Sequence, residues 1–198
     1  MTPAAPDPFL QRPRIGARVL LRRLTAADLP AFQAYRHDAE LSRYQGWLPQ
    51  TDLQAQDFLD EMSRATLLAP GAWVQIGIAS CSDDALIGDI GLCVSSTGES
   101  AEIGFTLRAS SQGHGLAGEA VRAAIQFVFE ATAVARIVGI TDARNLASIR
   151  LLERVGMHRT STGPAEFRGE ACIEHVHELR RPTPTAAGHG GPHPEMRD

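Results

Sequence analysis

The spacing of apolar residues predicts a strand and two helices in the first third of the chain. Residues 18–24, with the apolar run 19–21, are predicted to form a strand. Thr25, with Asp28 three residues later, is typical of a helix N-cap with an acidic first turn and predicts a helix through residue 35. A second helix is predicted over residues 51–65. Its apolar face is expected to consist of Leu53, Phe58, Leu59 and Met62.

After a Pro-Gly pair at positions 70 and 71, the pattern changes to short apolar runs. These runs predict three strands, over residues 73–79, 85–94 and 101–107. The two connections carry residues that favour turns, Asp83-Asp84 and Thr97-Gly98-Glu99. Because such short connections join neighbouring antiparallel strands, this block is predicted to be an antiparallel meander.

The rest of the chain alternates between the helical and the extended pattern. Helices are predicted over residues 116–130 and 148–155, and strands over residues 136–141 and 172–179. The first of these helices presents one apolar side, made of Val121, Ile125, Val128 and Phe129. With no internal repeat and no second core, the pattern predicts an α+β fold, a mixed sheet with helices on its faces.

Composition sets the expected boundaries of this fold. The chain has 198 residues, of which 43% are hydrophobic and 21% charged, which is ordinary for a single globular domain. Residues 1–13 carry several prolines and are expected to be a flexible arm, and residues 182–198, rich in Pro, Gly and His, a disordered tail. A single domain is therefore predicted over residues 14–181.

Other features of the composition exclude several classes of function. No apolar run is long enough to span a membrane, and no basic-then-apolar leader is present, so a cytoplasmic protein is expected. A net charge of -4 disfavours direct nucleic-acid binding. All 19 basic residues are Arg, which excludes chemistry that requires Lys. Three widely spaced cysteines form neither a disulfide framework nor a zinc pattern. His175 and His177 lack a third ligand at a supporting spacing, so no metal is expected and they are predicted to be ordinary edge-strand histidines.

A Gly-rich segment connects the strand over residues 101–107 to the helix that follows. It reads Gln112-Gly113-His114-Gly115-Leu116-Ala117. Glycines at a helix start allow several backbone N–H groups to converge on an anion, and the helix dipole adds positive potential there. The segment therefore predicts a phosphate site, although loops of this composition also serve as plain turns.

These residues and their neighbours resemble the GNAT superfamily of N-acetyltransferases. The pattern Gln112-x-x-Gly115-x-Ala117 matches the superfamily's cofactor signature. Further matches to its RimJ/RimL branch are Ala101-Glu102-Ile103-Gly104-Phe105, Glu119-Ala120, Arg136, Asn145-Leu146-Ala147-Ser148-Ile149-Arg150 and Val155-Gly156-Met157. The resemblance runs from about residue 14 to residue 180 and implies the GNAT fold, a mostly antiparallel mixed sheet with helices on both faces. The departures are Met157, where Phe is usual, and the unfamiliar segment 160–171.

The resemblance also implies a reaction. Acetyl-CoA would be the co-substrate, without a metal, and a primary amine would attack its thioester directly in a ternary complex. The RimJ/RimL branch acetylates N-terminal amines of ribosomal proteins and related acceptors. The acceptor is therefore expected to be a peptide N-terminus or a small-molecule amine. Homodimers are common in the family.

Two groups of site residues follow from the resemblance. Those expected to bind acetyl-CoA are Phe105, Thr106, Leu107, Gln112, Gly113, His114, Gly115, Leu116, Ala117, Asn145 and Ser148. Ser148 would also protonate the departing thiolate, and Glu102, with Glu174 as the second candidate, would accept the amine proton. Asn145 suits a helix N-cap equally well. Carboxylates at strand ends are often simply solvated.

Two other functions remain open from the sequence. Gly113-x-Gly115-x-x-Gly118, with Asp142 at a later strand end, also satisfies the dinucleotide-binding pattern. Against a dinucleotide fold, residues 108–112 intervene before the loop and the preceding strands are predicted to be antiparallel. The non-enzyme alternative is a GNAT-like module that binds acyl-CoA as a sensor or an interaction domain.

Overall fold

The computed structural model describes residues 14, 15 and 17–182, and the strands among them form one eight-stranded sheet. The strands are β1 Arg14–Ile15, β2 Val19–Arg23, β3 Trp73–Ser80, β4 Leu86–Val94, β5 Ser100–Leu107, β6 Arg136–Asp142, β7 His158–Phe167 and β8 Glu170–Arg180. Their order across the sheet is β1-β2-β3-β4-β5-β6-β8-β7. Among the described strand pairs only β5 with β6 is parallel. The predicted α+β class and the antiparallel meander are confirmed.

The described part of the chain has five helices, four of which pack on the two faces of this sheet. The five helices are α1 Leu29–Arg36, α2 Ala39–Ser42, α3 Asp52–Arg64, α4 Leu116–Ala131 and α5 Leu146–Arg154. The helices α1 and α3 contact β4 and β3, on the face that carries Gln75 and Asp89. The helices α4 and α5 cover the opposite face, where a Cβ at Gly139 would lie 2.8 Å from Leu152. None of the helices in the described part of the chain is long and apolar enough to cross a membrane.

The predicted helix starts are present, with one correction to the buried face of α3. Thr25 and Asp28 form a capping box ahead of a 3₁₀ turn that leads into α1, and Thr51 caps α3. Leu53, expected on the buried face of α3, is 73% exposed. The buried residues are Ala55, Leu59 and Met62. Two residues of helix rotate a side chain by about 200°, so Leu53 points away from the face that Ala55 defines.

The strand β7 is absent from the predicted elements, whereas β8 corresponds to the strand predicted over residues 172–179. The strand β7 is mostly exposed, its burial alternates only over its second half, and it contains Gly163 and Pro164. A proline is tolerated there because β7 is the outermost strand of the sheet. The strand β8 lies between β6 and β7, so the prediction that His175 and His177 are edge-strand histidines is wrong. His177 is fully buried, and burial lowers its pKa, which keeps its ring neutral.

Arg181, immediately after β8, ties the end of the sheet to the end of α4. Its guanidinium donates hydrogen bonds to the carbonyls of Phe129 at 2.6 Å, Thr132 at 2.8 Å and Val134 at 2.9 Å. These carbonyls follow the last turn of α4 or belong to it, where acceptors lack helical partners. A half-buried cation therefore serves as the cap of this helix end.

We expect Arg181→Ala to lower the free energy of unfolding by about 2 kcal/mol, because it removes hydrogen bonds from a charged donor.

A chain that ends at residue 181 should keep its melting temperature and its turnover, because the cap remains. Of the predicted tail, residues 183–198 lie outside the described residues, as does the predicted arm 1–13. Thermal unfolding of both variants checks the expectation, and a clear loss on truncation would show that the tail docks on the domain.

Candidate functional site

The strands β5 and β6 separate where most of the predicted site residues lie. Their parallel pairing ends at Glu102, which lies opposite Val138, and the later residues of β5 have no partner on β6. A gap therefore opens beside the second half of β5. Backbone groups that face such a gap lack a strand partner and are free to bind a ligand.

Side-chain contacts show which backbone groups of β5 face the gap. The carbonyl of Phe105 accepts a hydrogen bond from Gln45 at 3.3 Å, and that of Leu107 accepts one from Gln112 at 2.8 Å. Both carbonyls thus point away from β4. The carbonyl of Thr106 points toward β4, where a Cβ on Gly88 would lie only 2.2 Å from it. Phe105 and Leu107 therefore present backbone to the gap, and the Gln112 side chain anchors the loop to the strand.

The Gly-rich loop leads directly into α4. Gly113 and Gly115 have φ of 78° and 79°, in the left-handed region that a side chain disfavours. Gly115 is the N-cap of α4, and no side chain caps this end of the helix within the described residues. The first N–H groups of a helix of 16 residues, with the positive end of its dipole, are therefore open to an anion.

An ion pair that the sequence did not reveal holds this loop in place. The backbone N–H of Arg18 donates to Glu119 at 2.6 Å, and its guanidinium binds Glu119 at 3.2 Å and the carbonyl of His114 at 2.9 Å. Burial opposes ionisation of Glu119, but these bonds and one from the Val19 N–H lower its pKa overall. The ionised Arg18–Glu119 pair therefore connects the residue before β2 to the first turn of α4.

A cavity of about 590 Å³, here the loop cavity, extends from the end of β5 past the Gly-rich loop to α5. It is lined by all the predicted acetyl-CoA-binding residues except His114, namely Phe105, Thr106, Leu107, Gln112, Gly113, Gly115, Leu116, Ala117, Asn145 and Ser148. The side chain of His114 is exposed, and its carbonyl binds Arg18. Asn145 caps α5 by accepting the N–H of Ser148 at 3.2 Å, which is the alternative role that its position allowed.

A second cavity of about 560 Å³, here the carboxylate cavity, lies on the side of the sheet that faces α1 and α3. Four carboxylates line it, those of Asp89, Glu102, Asp142 and Glu174. Asp142 is bound by Arg144 at 2.6 Å, and these hydrogen bonds lower its pKa. Neither Glu102 nor Glu174 has an ion-pair partner in the part of the chain that the structure describes.

Glu102 has the properties expected of a group that exchanges a proton. Burial raises its pKa, and the nearby carboxylate of Glu174 adds to the effect. Both side chains line the carboxylate cavity, so the structure brings these two predicted residues together. Ser148, the third predicted catalytic residue, lies on the other side of β5 in the loop cavity.

The fourth carboxylate, Asp89, belongs to a buried network. It accepts hydrogen bonds from Tyr35 at 2.5 Å and from Arg36 at 2.9 Å. The Arg36 guanidinium also stacks on Trp47, 4.4 Å from the ring centroid, and on Phe32 at 4.6 Å. Burial and the Asp89 carboxylate raise the pKa of Tyr35 well above its usual value, so its hydroxyl remains a donor. The network fixes α1 to β4 beneath the cavity.

The two cavities meet along β5. Phe105, Thr106, Tyr44 and Gln45 line both of them, and the last two come from the segment after α2. Four aromatic residues, Phe32, Tyr35, Tyr44 and Trp47, lie on or near the N-terminal helices. The structure divides them: Tyr44 and Trp47 line the carboxylate cavity, whereas Phe32 and Tyr35 are buried.

The histidines of β8 take part in a separate set of contacts. The ring of His175 is 2.9 Å from the Thr162 hydroxyl and 3.3 Å from the Arg159 guanidinium. No cluster of three or more His, Cys, Asp or Glu side chains within the described ranges is placed to hold a metal ion.

Comparison with known proteins identifies this arrangement. A family model described as an acetyltransferase (GNAT) domain matches residues 18–158, which include the meander, the Gly-rich loop, α4 and α5. The chain belongs to the GNAT acetyltransferase family. The predicted superfamily and enzyme class, an N-acetyltransferase, are thereby confirmed. A dinucleotide-binding fold requires a largely parallel sheet, which the GNAT topology described above does not have.

Two curated relatives carry the same assignment. A probable N-acetyltransferase of Bacillus subtilis is 38% identical over 85 residues, which are 42% of this chain and 47% of that protein. The match thus spans about half the length of this relative. An uncharacterized N-acetyltransferase of Bacillus licheniformis is 28% identical over 144 residues, which are 72% of this chain and 80% of the relative.

Solved structures share the fold at low sequence identity. A GNAT acetyltransferase of Bacillus anthracis superposes with a TM-score of 0.75 at 20% identity, over 84% of this chain and 96% of that one. An acetyltransferase of Salmonella typhimurium that modifies the N-terminal serine of ribosomal protein L7/L12 gives a TM-score of 0.70 at 15% identity, over 84% and 97%. Similar structures include RimL with coenzyme A and a self-immunity acetyltransferase with acetyl-CoA and AMP. The predicted likeness to RimL-type proteins is confirmed for the fold.

Proposed function

We propose that this GNAT protein transfers the acetyl group of acetyl-CoA to a primary amine by direct attack in a ternary complex. One observation carries the proposal: two cavities of different chemistry meet at the separated end of β5. The loop cavity offers an open helix start to phosphates, and the carboxylate cavity offers unpaired acidic groups to an amine. Two substrates held on opposite sides of one strand can react without a covalent enzyme intermediate.

The loop cavity is suited to acetyl-CoA, which supplies a thioester-activated acetyl group when bound. The N–H groups after Gly113 and Gly115 would bind its phosphates, because the two left-handed glycines place no side chain of their own in the approach. The guanidinium of Arg18 lies 3.5 Å from the position of a Cβ at Gly115. Backbone groups of Phe105 and Leu107 would bind the pantetheine arm and polarise the reacting carbonyl. Ser148 lies along the same cavity, where it can give a proton to the departing sulfur.

The carboxylate cavity would bind the acceptor. In the reaction, the amine nitrogen bonds to the acetyl carbon as the carbon–sulfur bond breaks. The proton that the amine loses passes to Glu102, directly or through water, and the thiolate takes one from Ser148, which recovers it from solvent. Glu174 is the second candidate for the base. This chemistry leaves the amide product in the acidic cavity and free thiol in the loop cavity.

We expect Gly115→Leu to abolish acetyl-CoA binding, because its side chain would occupy the phosphate approach. Bound acetyl-CoA at about 100 times its Kd should stabilise the native protein by about 2.7 kcal/mol, and the variant should lose this gain. The matched control is Gly98→Leu, since Gly98 has a similar φ of 72° in a hairpin turn away from both cavities. Calorimetric titration and thermal unfolding measure both effects.

The control separates the ligand site from backbone strain. Both substitutions force a branched side chain into the left-handed region, so both should lower stability. Only Gly115→Leu should lose acetyl-CoA. If NAD binds and acetyl-CoA does not, or if Gly115→Leu binds acetyl-CoA normally, the assignment of the loop cavity is wrong.

A further inference from the structure

The floor of the carboxylate cavity is made by missing side chains. Gly104 on β5 is paired with Gly91 on β4, which is paired in turn with Gln75 on β3. A Cβ added at Gly104 would meet nothing within 4 Å, whereas one at Gly91 would lie 2.9 Å from the Gln75 amide. The side chains of Gln75 and Trp73 thus lie close over Gly91, whereas the space above Gly104 is open to a ligand.

The walls above this floor are aromatic and apolar. The lining includes Trp47, Trp73, Phe58 and Phe167. Trp73 is 48% exposed and Ile140 is 43% exposed, although both are large hydrophobic residues that line the cavity. Single exposed apolar residues are ordinary on a protein surface, but exposed apolar residues that cluster in a cavity are typical of a ligand site. The flat floor and these walls favour an acceptor with a planar or unbranched hydrocarbon body.

The charge of the cavity favours a cation. The negative charge of Asp89 is balanced by Arg36 and that of Asp142 by Arg144, which leaves Glu102 and Glu174 to set the local potential. Aromatic faces add to the attraction for an ammonium group. A carboxylate next to the amine, as in an amino acid, would instead be repelled by both glutamates.

The cavity is also roofed. Arg168, at the turn of the β7–β8 hairpin, donates a hydrogen bond from its guanidinium to the carbonyl of Trp47. Its neighbour Phe167 lines the cavity from above, as Trp47 does from the segment after α2. The unfamiliar segment 160–171 thus closes over the acceptor space. A cavity of about 560 Å³ that is partly covered by this contact suits a small molecule better than a polypeptide chain.

We infer that the acceptor is a small monocationic amine with a flat apolar body, of the arylalkylamine type. The inference rests on the proposed function and adds the class of acceptor to it. Gly104 provides the space, the aromatic walls contact the body, and Glu102 and Glu174 attract the ammonium group. The roof disfavours peptide N-termini, and the negative charge disfavours amino acids.

The test compares four amines with the full-length chain at saturating acetyl-CoA, following thiol release. The probes are 2-phenylethylamine, phenylalanine, 1,4-diaminobutane and a serine-initiated peptide. Phenylalanine is the matched probe, because it differs from 2-phenylethylamine only by a carboxylate. We expect kcat/KM for 2-phenylethylamine to exceed that for each of the other three by at least about tenfold. A preference for the peptide, the diamine or phenylalanine overturns the inference and leaves the acetyltransferase proposal standing.

Substitutions in the floor and walls of the carboxylate cavity provide a second test of the inference. Gly104→Leu should raise KM for 2-phenylethylamine by about tenfold or more, while the Kd for acetyl-CoA and the melting temperature change little. Trp73→Ala should raise the same KM without filling the cavity. If both variants keep the wild-type KM, the amine does not occupy this cavity. No turnover with any amine, together with normal acetyl-CoA binding, would overturn the proposed function and this inference with it.

Another pair of variants tests whether the negative charge of the cavity selects the acceptor. Glu174→Gln should reduce the discrimination against phenylalanine relative to 2-phenylethylamine, because it removes one of the two unpaired negative charges. The control is Glu99→Gln, an exposed glutamate in the hairpin turn before β5. If both variants discriminate as the wild type does, the carboxylates do not select the acceptor.

Discussion

Replacing Glu102 by Gln is expected to lower kcat by about 10²- to 10⁴-fold at neutral pH, which is the usual contribution of a general base. An acceptor amine is mostly protonated at neutral pH, and only its neutral form can attack. The substitution preserves shape and removes basicity. Activity should therefore recover in part as the pH rises, because more of the amine is already neutral. A pH profile of kcat with a good acceptor measures both effects.

The raised pKa of Glu102 also links this function to stability. A carboxyl group whose pKa is higher in the folded than in the unfolded state costs stability at every pH above its unfolded pKa. At neutral pH, Glu102→Gln should therefore raise the melting temperature. Below about pH 4, where the carboxyl group is protonated in both states, that gain should disappear. In the wild type, the same shift should move the acidic limb of kcat/KM upward from that of an ordinary glutamate.

Three companion variants separate the proton-transfer roles. Glu99→Gln changes the same charge at an exposed position and should leave kcat unchanged. Ser148→Ala should lower kcat without recovery at high pH, because it acts on the departing sulfur. If Glu102→Gln keeps full activity while Glu174→Gln loses it, the base is Glu174. If neither carboxylate affects kcat, the proton goes to bulk water, and the assignment of a base is wrong.

Asp89→Ala is expected to lower the free energy of unfolding by about 3 to 5 kcal/mol. The substitution leaves the Arg36 guanidinium, whose side chain is 6% exposed, as a buried cation without its partner. It also leaves the buried Tyr35 hydroxyl without its acceptor. Because α1 is fixed to β4 through this network, the carboxylate cavity should lose its shape as well. Urea unfolding measures the loss of stability.

The matched control is Asp60→Ala, which breaks an ion pair at the surface. Asp60 and Arg64 are 3.5 Å apart on α3, with side chains 47% and 75% exposed. Solvent screens such a pair, so its loss should cost less than about 1 kcal/mol. Asp89→Asn should fall between the two, because the amide oxygen can still accept one of the hydrogen bonds. Equal costs for Asp89→Ala and Asp60→Ala would contradict the structural role of the buried network.

Features set by local sequence were predictable. The capping residue Thr51, the turn glycines and the spacing of apolar residues act within a few positions, so the helix α3 and the strands of the meander were located within one or two residues. The Gly-rich loop was found for the same reason, since a phosphate site at a helix start is a local arrangement. Acetyl-CoA was predicted as the co-substrate from the resemblance to the GNAT superfamily, because the glycine pattern alone indicates only a phosphate site.

Features set by distant contacts were not predictable. Asp89 and Arg36 are 53 positions apart, and Arg168 binds Trp47 across 121 positions, so nothing in either local pattern indicates the partner. The strand β7 is paired only on one side and is mostly exposed, so it needs no apolar alternation. The roof and floor of the carboxylate cavity, which would determine the acceptor, therefore became visible only in the structure.

The most direct test of the account is a turnover assay of the full-length chain with acetyl-CoA and a panel of primary amines, with thiol release and the mass of the amine product followed together. The account predicts that thiol release depends on the amine and matches acetylated amine in equal amounts. Tight binding of acetyl-CoA without amine-dependent thiol release would contradict it and favour an acyl-CoA-binding module. Thiol release without acetylated amine would show hydrolysis in place of transfer.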